Sequence, residues 1–91
     1  MTADNSASTA SIRAWLTEQV ALYVELAPEA IDHDTDLASY GMDSIRALTL
    51  AARIEDEFGI EVDEDLAWDH RTITAIAGVV AAELAKRVEA V

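Results

Sequence analysis

Residues 44–58, Ser-Ile-Arg-Ala-Leu-Thr-Leu-Ala-Ala-Arg-Ile-Glu-Asp-Glu-Phe, place apolar side chains at helical spacing on two faces at once. Stepped at about 100° per residue, Ala47, Leu50, Ala51, Ile54 and Phe58 form one long stripe. Ile45, Leu48 and Ala52, with Thr49, fall roughly opposite. A helix of this length spans about 22 Å. Apolar on both sides, it is either buried all round or offers one face to another molecule. A chain of 91 residues is one small domain and has little material to bury it all round. The longer stripe therefore faces the core, and Ile45 and Leu48 are expected to form a patch for a partner. A short helix covering that patch is the other possible arrangement.

The start of this helix is as informative as its faces. Gly41 suits the last bend before a helix because it can take a backbone angle closed to other residues. Ser44, beside Asp43, stands at an N-cap or first-turn position. The first amides of a helix have no partners within it, and the dipole there favours negative charge. A phosphate ester on the Ser44 hydroxyl would meet both conditions. The plainer reading of the same residue is a simple cap.

The remaining elements come in chain order. Residues 1–10 are small and polar and read as a flexible leader. A first helix is expected over about 12–26, capped by Thr9 or Ser11, with Ile12, Trp15, Leu16, Val20, Tyr23 and Leu26 on its core stripe. Pro28 ends it. A connection of roughly fifteen residues comes next, long for a compact helical domain, with Ile31 and Leu37 as its anchors. Asp32, Asp34 and Asp36 alternate as in a calcium loop, but Leu37 replaces the glycine such a loop needs and Asp43 the longer glutamate, so a turn-forming acidic loop is the reading. Arg53 and Glu57 are spaced for a helical ion pair.

Gly59 stops the second helix. Ile60 and Val62 alternate with acids, a one-turn helix is expected from Asp63–Asp65 through Trp68, and Trp68 reads as core, with lining of a pocket for an acyl chain as the alternative. Thr72 caps a last helix with Ile73, Ile76, Ala77, Val80 and Leu84 on its stripe, and Gly78 within it suggests close helix packing. The fold class is all-α: a small four-helix bundle of three main helices plus one short one, its domain covering residues 11–88.

Composition narrows the function. A net charge of −12 disfavours nucleic acid and anionic membranes and favours basic protein surfaces. There is no cysteine, hence no disulfide scaffold and no thiolate metal site. No apolar run is long enough to span a membrane, and the N-terminus lacks a signal-peptide pattern, so a cytoplasmic protein is expected. His33 and His70 are the only histidines, and nothing brings either to Ser44; with no G-x-S-x-G elbow, no catalytic residue and no metal site is assigned.

Gly41-Met42-Asp43-Ser44-Ile45, followed by Leu48, Leu50 and Ile54-Glu55-Asp56-Glu57-Phe58-Gly59-Ile60, resembles the attachment region of acyl and peptidyl carrier proteins. The serine of their G-(L/M)-D-S-(L/I) motif bears a 4′-phosphopantetheine arm. Asp69-His70-Arg71-Thr72-Ile73 is similar to a later stretch of that family, with Arg71 where proline is frequent. The resemblance spans about residues 12–84 and implies an acyl-carrier-protein fold. It further implies covalent 4′-phosphopantetheine on Ser44, taken from coenzyme A, with Asp43 orienting the loop. Val62 and the short helix would form the other wall beside the arm. Met42, Ile45, Arg46, Leu48, Thr49, Ala52 and Val62 would meet partners: a phosphopantetheinyl transferase, an acyl- or aminoacyl-loading enzyme, and an acyltransferase or ketosynthase. Arg46 and Thr49 depart from the acidic helix of fatty-acid carriers and resemble carriers of polyketide or nonribosomal-peptide pathways. The expected function is a free-standing, monomeric acyl carrier that holds its cargo as thioesters. An aminoacyl or peptidyl carrier is the alternative, and an unmodified helical adaptor the reading from another class.

Overall fold

The structure, a computed structural model, describes residues 8–90, with side chains through Arg87. Among these residues there are four helices: α1 (Thr9–Val24), α2 (Ser44–Phe58), α3 (Leu66–Asp69) and α4 (Ile73–Ala90). Two single 3-10 turns, Pro28–Ala30 and Leu37–Tyr40, punctuate the long connection between α1 and α2. Among the described residues there is no strand, and the fold is the expected all-α bundle of three main helices and one short one.

The core is built from the stripes that the periodicity marks. Ile12, Leu16 and Val20 of α1, Leu50 and Ile54 of α2, and Ile73, Ile76 and Val80 of α4 are fully buried. Ile31 and Leu37 anchor the long connection into this cluster, and Ile60 and Leu66 close it from the other side. Trp15 meets Phe58 edge to face, with ring centres 5.2 Å apart, a geometry that favours aromatic pairs.

Helix ends are where expectation and structure part. The cap of α1 is Ser8, whose hydroxyl accepts from the Ser11 amide at 3.1 Å, so the helix begins before Thr9 and Ser11 could cap it. Of the expected leader, Thr9 and Ala10 belong to α1, and residues 1–7 lie outside the described residues. At its other end α1 stops at Val24, because Glu25 takes a left-handed conformation with φ 59°. Leu26 therefore leaves the stripe and is 41% exposed, its amide closing back on Ala21 O at 3.1 Å. Pro28 does not end the helix but opens the next turn, where its fixed φ and missing N–H are tolerated.

Elsewhere Gly59 ends α2 at φ 65°, and Thr72 Oγ1 caps α4 by accepting from the Ala75 amide at 3.1 Å. Helix α3 starts at Leu66, after an Asx turn in which Asp63 Oδ1 accepts from the Asp65 amide. Close packing does not explain Gly78: a Cβ there would meet nothing within 4 Å. Arg53 and Glu57 form no ion pair among the described residues; Arg53 instead acts electrostatically on Tyr23 of α1.

Candidate functional site

The loop before α2 is pinned at several points, which fixes the direction in which the helix starts. Asp36 Oδ1 caps the turn Leu37–Tyr40 by accepting from the Ala38 amide at 2.9 Å. Tyr40 Oη accepts from the Asp32 amide at 2.8 Å, and the buried Leu37 donates its N–H to Arg71 O at 2.8 Å. Gly41 then turns the chain at φ 99°, a conformation that strains any other residue. Two of the three alternating aspartates thus serve turns: Asp32 Oδ2 accepts from Thr35 Oγ1, and Asp36, the cap of its turn, also pairs with Arg71. No group of three or more His, Asp or Glu side chains among the described residues is placed to hold a metal ion.

Asp43, not Ser44, is the N-cap of α2. Its Oδ1 accepts from the Arg46 amide at 2.8 Å and its Oδ2 meets Arg46 Nη1 at 3.0 Å. Ser44 is the first helical residue and is exposed. Among the described residues its hydroxyl has no hydrogen-bond partner, and the amides of Ser44 and Ile45 have no acceptor. An exposed hydroxyl without a hydrogen-bond partner and two open N–H groups therefore share the positive end of a four-turn helix. That is a ready seat for a phosphate diester.

The helix presents two faces, as its pattern predicts. Ala47, Leu50, Ala51 and Ile54 are buried, and Phe58 is half-buried. Ile45 is 74% exposed and Leu48 49%, with Thr49 and Ala52 beside them in the open; among the described residues no element covers them. Arg46 borders this face, tied to Asp43. Met42 and Val62 are half-buried and packed on the core, so they edge the face and are not its exposed centre.

Sequence reasoning missed what holds the second wall. Glu55 Oε2 accepts from the Val62 amide at 2.9 Å and straps the extended segment against α2. Its position on the helix was the available signal: at about 100° per residue it falls between Leu48 and Ala51, on the rim of the core. Of the two readings of Trp68, core and pocket lining, the core one does not hold: it is 45% exposed. In a helix of one turn only one side can face inward, and Leu66 takes it. Trp68 instead lines a cleft with Leu37, Met42, Ala47, Ala67 and Arg71, whose interior of about 20 Å³ has room for one water.

Neither histidine is hydrogen-bonded to Ser44 among the described residues. His33 Nε2 is 3.1 Å from Thr17 Oγ1 on α1, while its carbonyl accepts from the Thr74 amide, so it pins the long connection to two helices. His70 ends α3, its amide bonded to Leu66 O. Among the described residues the one clear titration shift is that of Tyr23 on α1, pushed above the ordinary tyrosine value by burial and partly drawn back by Arg53.

The sequence matches the family described as phosphopantetheine attachment site over residues 14–80. The chain belongs to that family. This carrier domain is 32% identical over 73 residues to a phenolphthiocerol/phthiocerol polyketide synthase of Mycobacterium tuberculosis, covering 80% of the chain and 4% of that protein. It spans about 4% of the length of the mycobacterial synthases it matches. It is also 39% identical over 54 residues to chloroplastic acyl carrier protein 1 of Spinacia oleracea, covering 59% of the chain and 39% of that protein. Among solved structures, a free-standing peptidyl carrier protein from Acinetobacter baumannii superposes with a TM-score of 0.82 at 37% identity, over 86% of this chain and 98% of that one. The HMG-ACPI domain of CurA from Lyngbya majuscula shares the fold, with a TM-score of 0.82 at 20% identity, covering 89% of this chain and 82% of that one. The carrier domain thus has the fold, the family and the phosphopantetheine chemistry of acyl and peptidyl carriers. No helix among its described residues is long and apolar enough to cross a membrane.

Proposed function

We propose that this chain is a free-standing acyl carrier protein, acting in the cytoplasm in polyketide-type secondary metabolism, and that Ser44 bears its arm. One observation carries the site: Asp43 takes the cap, which leaves the Ser44 hydroxyl exposed and unbonded on the first turn of α2. In the attachment step Ser44 Oγ attacks the pyrophosphate of coenzyme A, forming the new phosphate ester and releasing the nucleotide portion. The base that takes the Ser44 proton belongs to the phosphopantetheinyl transferase. This chain contributes an aimed hydroxyl, the two open amides of Ser44 and Ile45, and Asp43 as the group that fixes the turn. Once attached, the arm supplies a thiol on which an acyl group is held as a thioester.

Delivery is then a matter of concentration and brief contact. A tethered cargo reaches a docked enzyme at far higher local concentration than a free one. Ile45, Leu48, Thr49 and Ala52, rimmed by Met42, Arg46 and Val62, make the docking face, and its small size suits a transient interface. Chemistry on the cargo is left to the partners: the loading enzyme, an acyltransferase or a ketosynthase.

The free-standing and aminoacyl-carrying readings share one support, the likeness to a free-standing peptidyl carrier aligned over 98% of its length. The polyketide synthase relatives support acyl cargo instead. Incubation with coenzyme A and a broad-specificity phosphopantetheinyl transferase, followed by intact mass, tests the site. A gain of one phosphopantetheine is expected in the wild type and not in Ser44→Ala. No gain in the wild type, under conditions that modify another carrier, would leave the unmodified adaptor. The modified protein offered in parallel to acyltransferases and to amino-acid-activating enzymes then separates the two kinds of cargo.

A further inference from the structure

Helix α1, like α2, carries apolar side chains beyond its core stripe. Ala10, Ala14 and Leu22 are exposed, Leu22 at 71%. The left-handed turn at Glu25 adds Leu26 to them, 41% exposed. An open groove runs along α1 beside the turn Pro28–Ala30, in two stretches that meet at Glu18 and Pro28. The first, of about 450 Å³, takes in Ala10, Arg13, Ala14, Thr17 and His33. The second, of about 290 Å³, takes in Ala21, Leu22 and Leu26. No residue of α2 lines either stretch, so the groove is separate from Ser44 and its docking face.

The acids along this groove are uncommitted. Glu18 and Glu29 line it and Glu25 precedes Leu26; all three are exposed, and none forms an ion pair among the described residues. With a net charge of −12, the chain has few cations of its own to meet them. Basic side chains on a partner would find three carboxylates free beside exposed leucines, a combination that marks an interaction surface. An occupant has to satisfy its own backbone, because there is no strand edge among the described residues for it to extend. A helix does so, and the 16 residues of α1 give it about 24 Å to lie along.

We propose that this groove docks a basic amphipathic helix of a partner protein, its apolar side chains on Leu22 and Leu26 and its lysines or arginines at Glu18, Glu25 and Glu29. A partner seated there holds the domain by α1 and leaves Ser44 and the exposed face of α2 open. The inference uses no residue of the carrier reading and stands apart from it.

The probe is a synthetic helix of about fourteen residues, with leucines on one face and lysines on its flanks. A scrambled peptide of the same composition is its control. Amide NMR shifts of the unmodified protein follow the titration. Saturable shifts are expected at Leu22, Glu25 and Leu26, with a Kd below about 1 mM. The scrambled peptide should bind at least about tenfold more weakly, and about half-molar salt should weaken the designed one several-fold. Leu22→Glu alters a side chain that is mostly in solvent, so the fold should hold while affinity falls about tenfold. Ile45→Glu should leave the affinity unchanged. Shifts centred on Ile45 and Leu48, equal binding of the scrambled peptide, or no saturable shift below about 1 mM would overturn the proposal. So would a dimer of the protein alone that Leu22→Glu dissolves, since the groove would then belong to a second copy. Arm attachment, read by intact mass, is a separate observable, so failure here leaves the carrier reading standing.

Discussion

Removing the Asp43 side chain should weaken the fold and bind up Ser44 at the same time. Asp43 Oδ1 accepts from the Arg46 amide, and loss of such a cap costs about 1 kcal/mol. Its Oδ2 pairs with Arg46 at 3.0 Å, but both side chains are about half exposed, so that contact adds only a few tenths of a kcal/mol. Asp43→Ala should therefore lose about 1–1.5 kcal/mol, or roughly 4–10 °C in Tm for a domain of this size. Asp43→Asn keeps an acceptor in the Oδ1 position and should lose about 0.5 kcal/mol or less. In the alanine variant the nearest hydroxyl able to serve the open amides is that of Ser44, so attachment of the arm should slow as well. Urea unfolding followed by circular dichroism measures the first effect, and the initial rate of phosphopantetheine transfer the second. If Asn proves as unstable as Ala, the carboxylate charge and not the cap is what matters, and capping is the wrong account of Asp43. An alanine variant with wild-type stability would refute it outright.

Other perturbations probe other levels. Glu25 sits at φ 59°, where an L-residue is strained by about 1–2 kcal/mol, part of which glycine forfeits as unfolded-state entropy, so Glu25→Gly should raise stability by about 0.5–1 kcal/mol in thermal unfolding. Tyr23 Oη is buried with no hydrogen-bond partner among the described residues, and burial raises its pKa. The neutral form is thus favoured in the folded state: stability from this group is full below the unfolded value near 10.0 and is lost as pH rises through the higher folded one. Tyr23→Phe should match or exceed the wild type at neutral pH and show a smaller alkaline loss in urea melts. Leu48 is half exposed, so Leu48→Glu should change folding by less than about 0.5 kcal/mol while weakening capture of any enzyme that docks on α2 about tenfold, read by titration on a sensor surface.

Stripes were legible in the sequence; where elements stop was less so. Every residue assigned to the core face of α2 is buried or half-buried there, because a four-turn helix leaves little freedom in which side turns inward. Leu26, and Trp68 in its core reading, go astray for a common reason. Each lies at the end of its element, where a single backbone angle or the brevity of a one-turn helix decides exposure, and periodicity carries no information about that. The strap from Glu55 to Val62 and the contacts of Arg71 were invisible for a different reason. They join residues through the tertiary fold, and a side chain's partner across a loop is not encoded in local spacing.

The order of Asp43 and Ser44 is the part of the site that most repays a physical reading. Either residue alone is a good helix cap, and a lone serine in that role would commit its oxygen to an amide of the first turn. With aspartate immediately before it, the carboxylate wins the capping position, since an ionised acceptor bonds the amide more strongly than a hydroxyl does. The serine is pushed one place into the helix, where its hydroxyl has nothing to accept from and points to solvent. The same substitution of roles leaves the Ser44 and Ile45 amides open, and these are the groups that a phosphate on that oxygen needs. A pair of residues that looks redundant thus divides two tasks, one holding the helix end and the other kept free at it. That division removes the plain reading of Ser44 as a cap and is what the proposed attachment at Ser44 builds on.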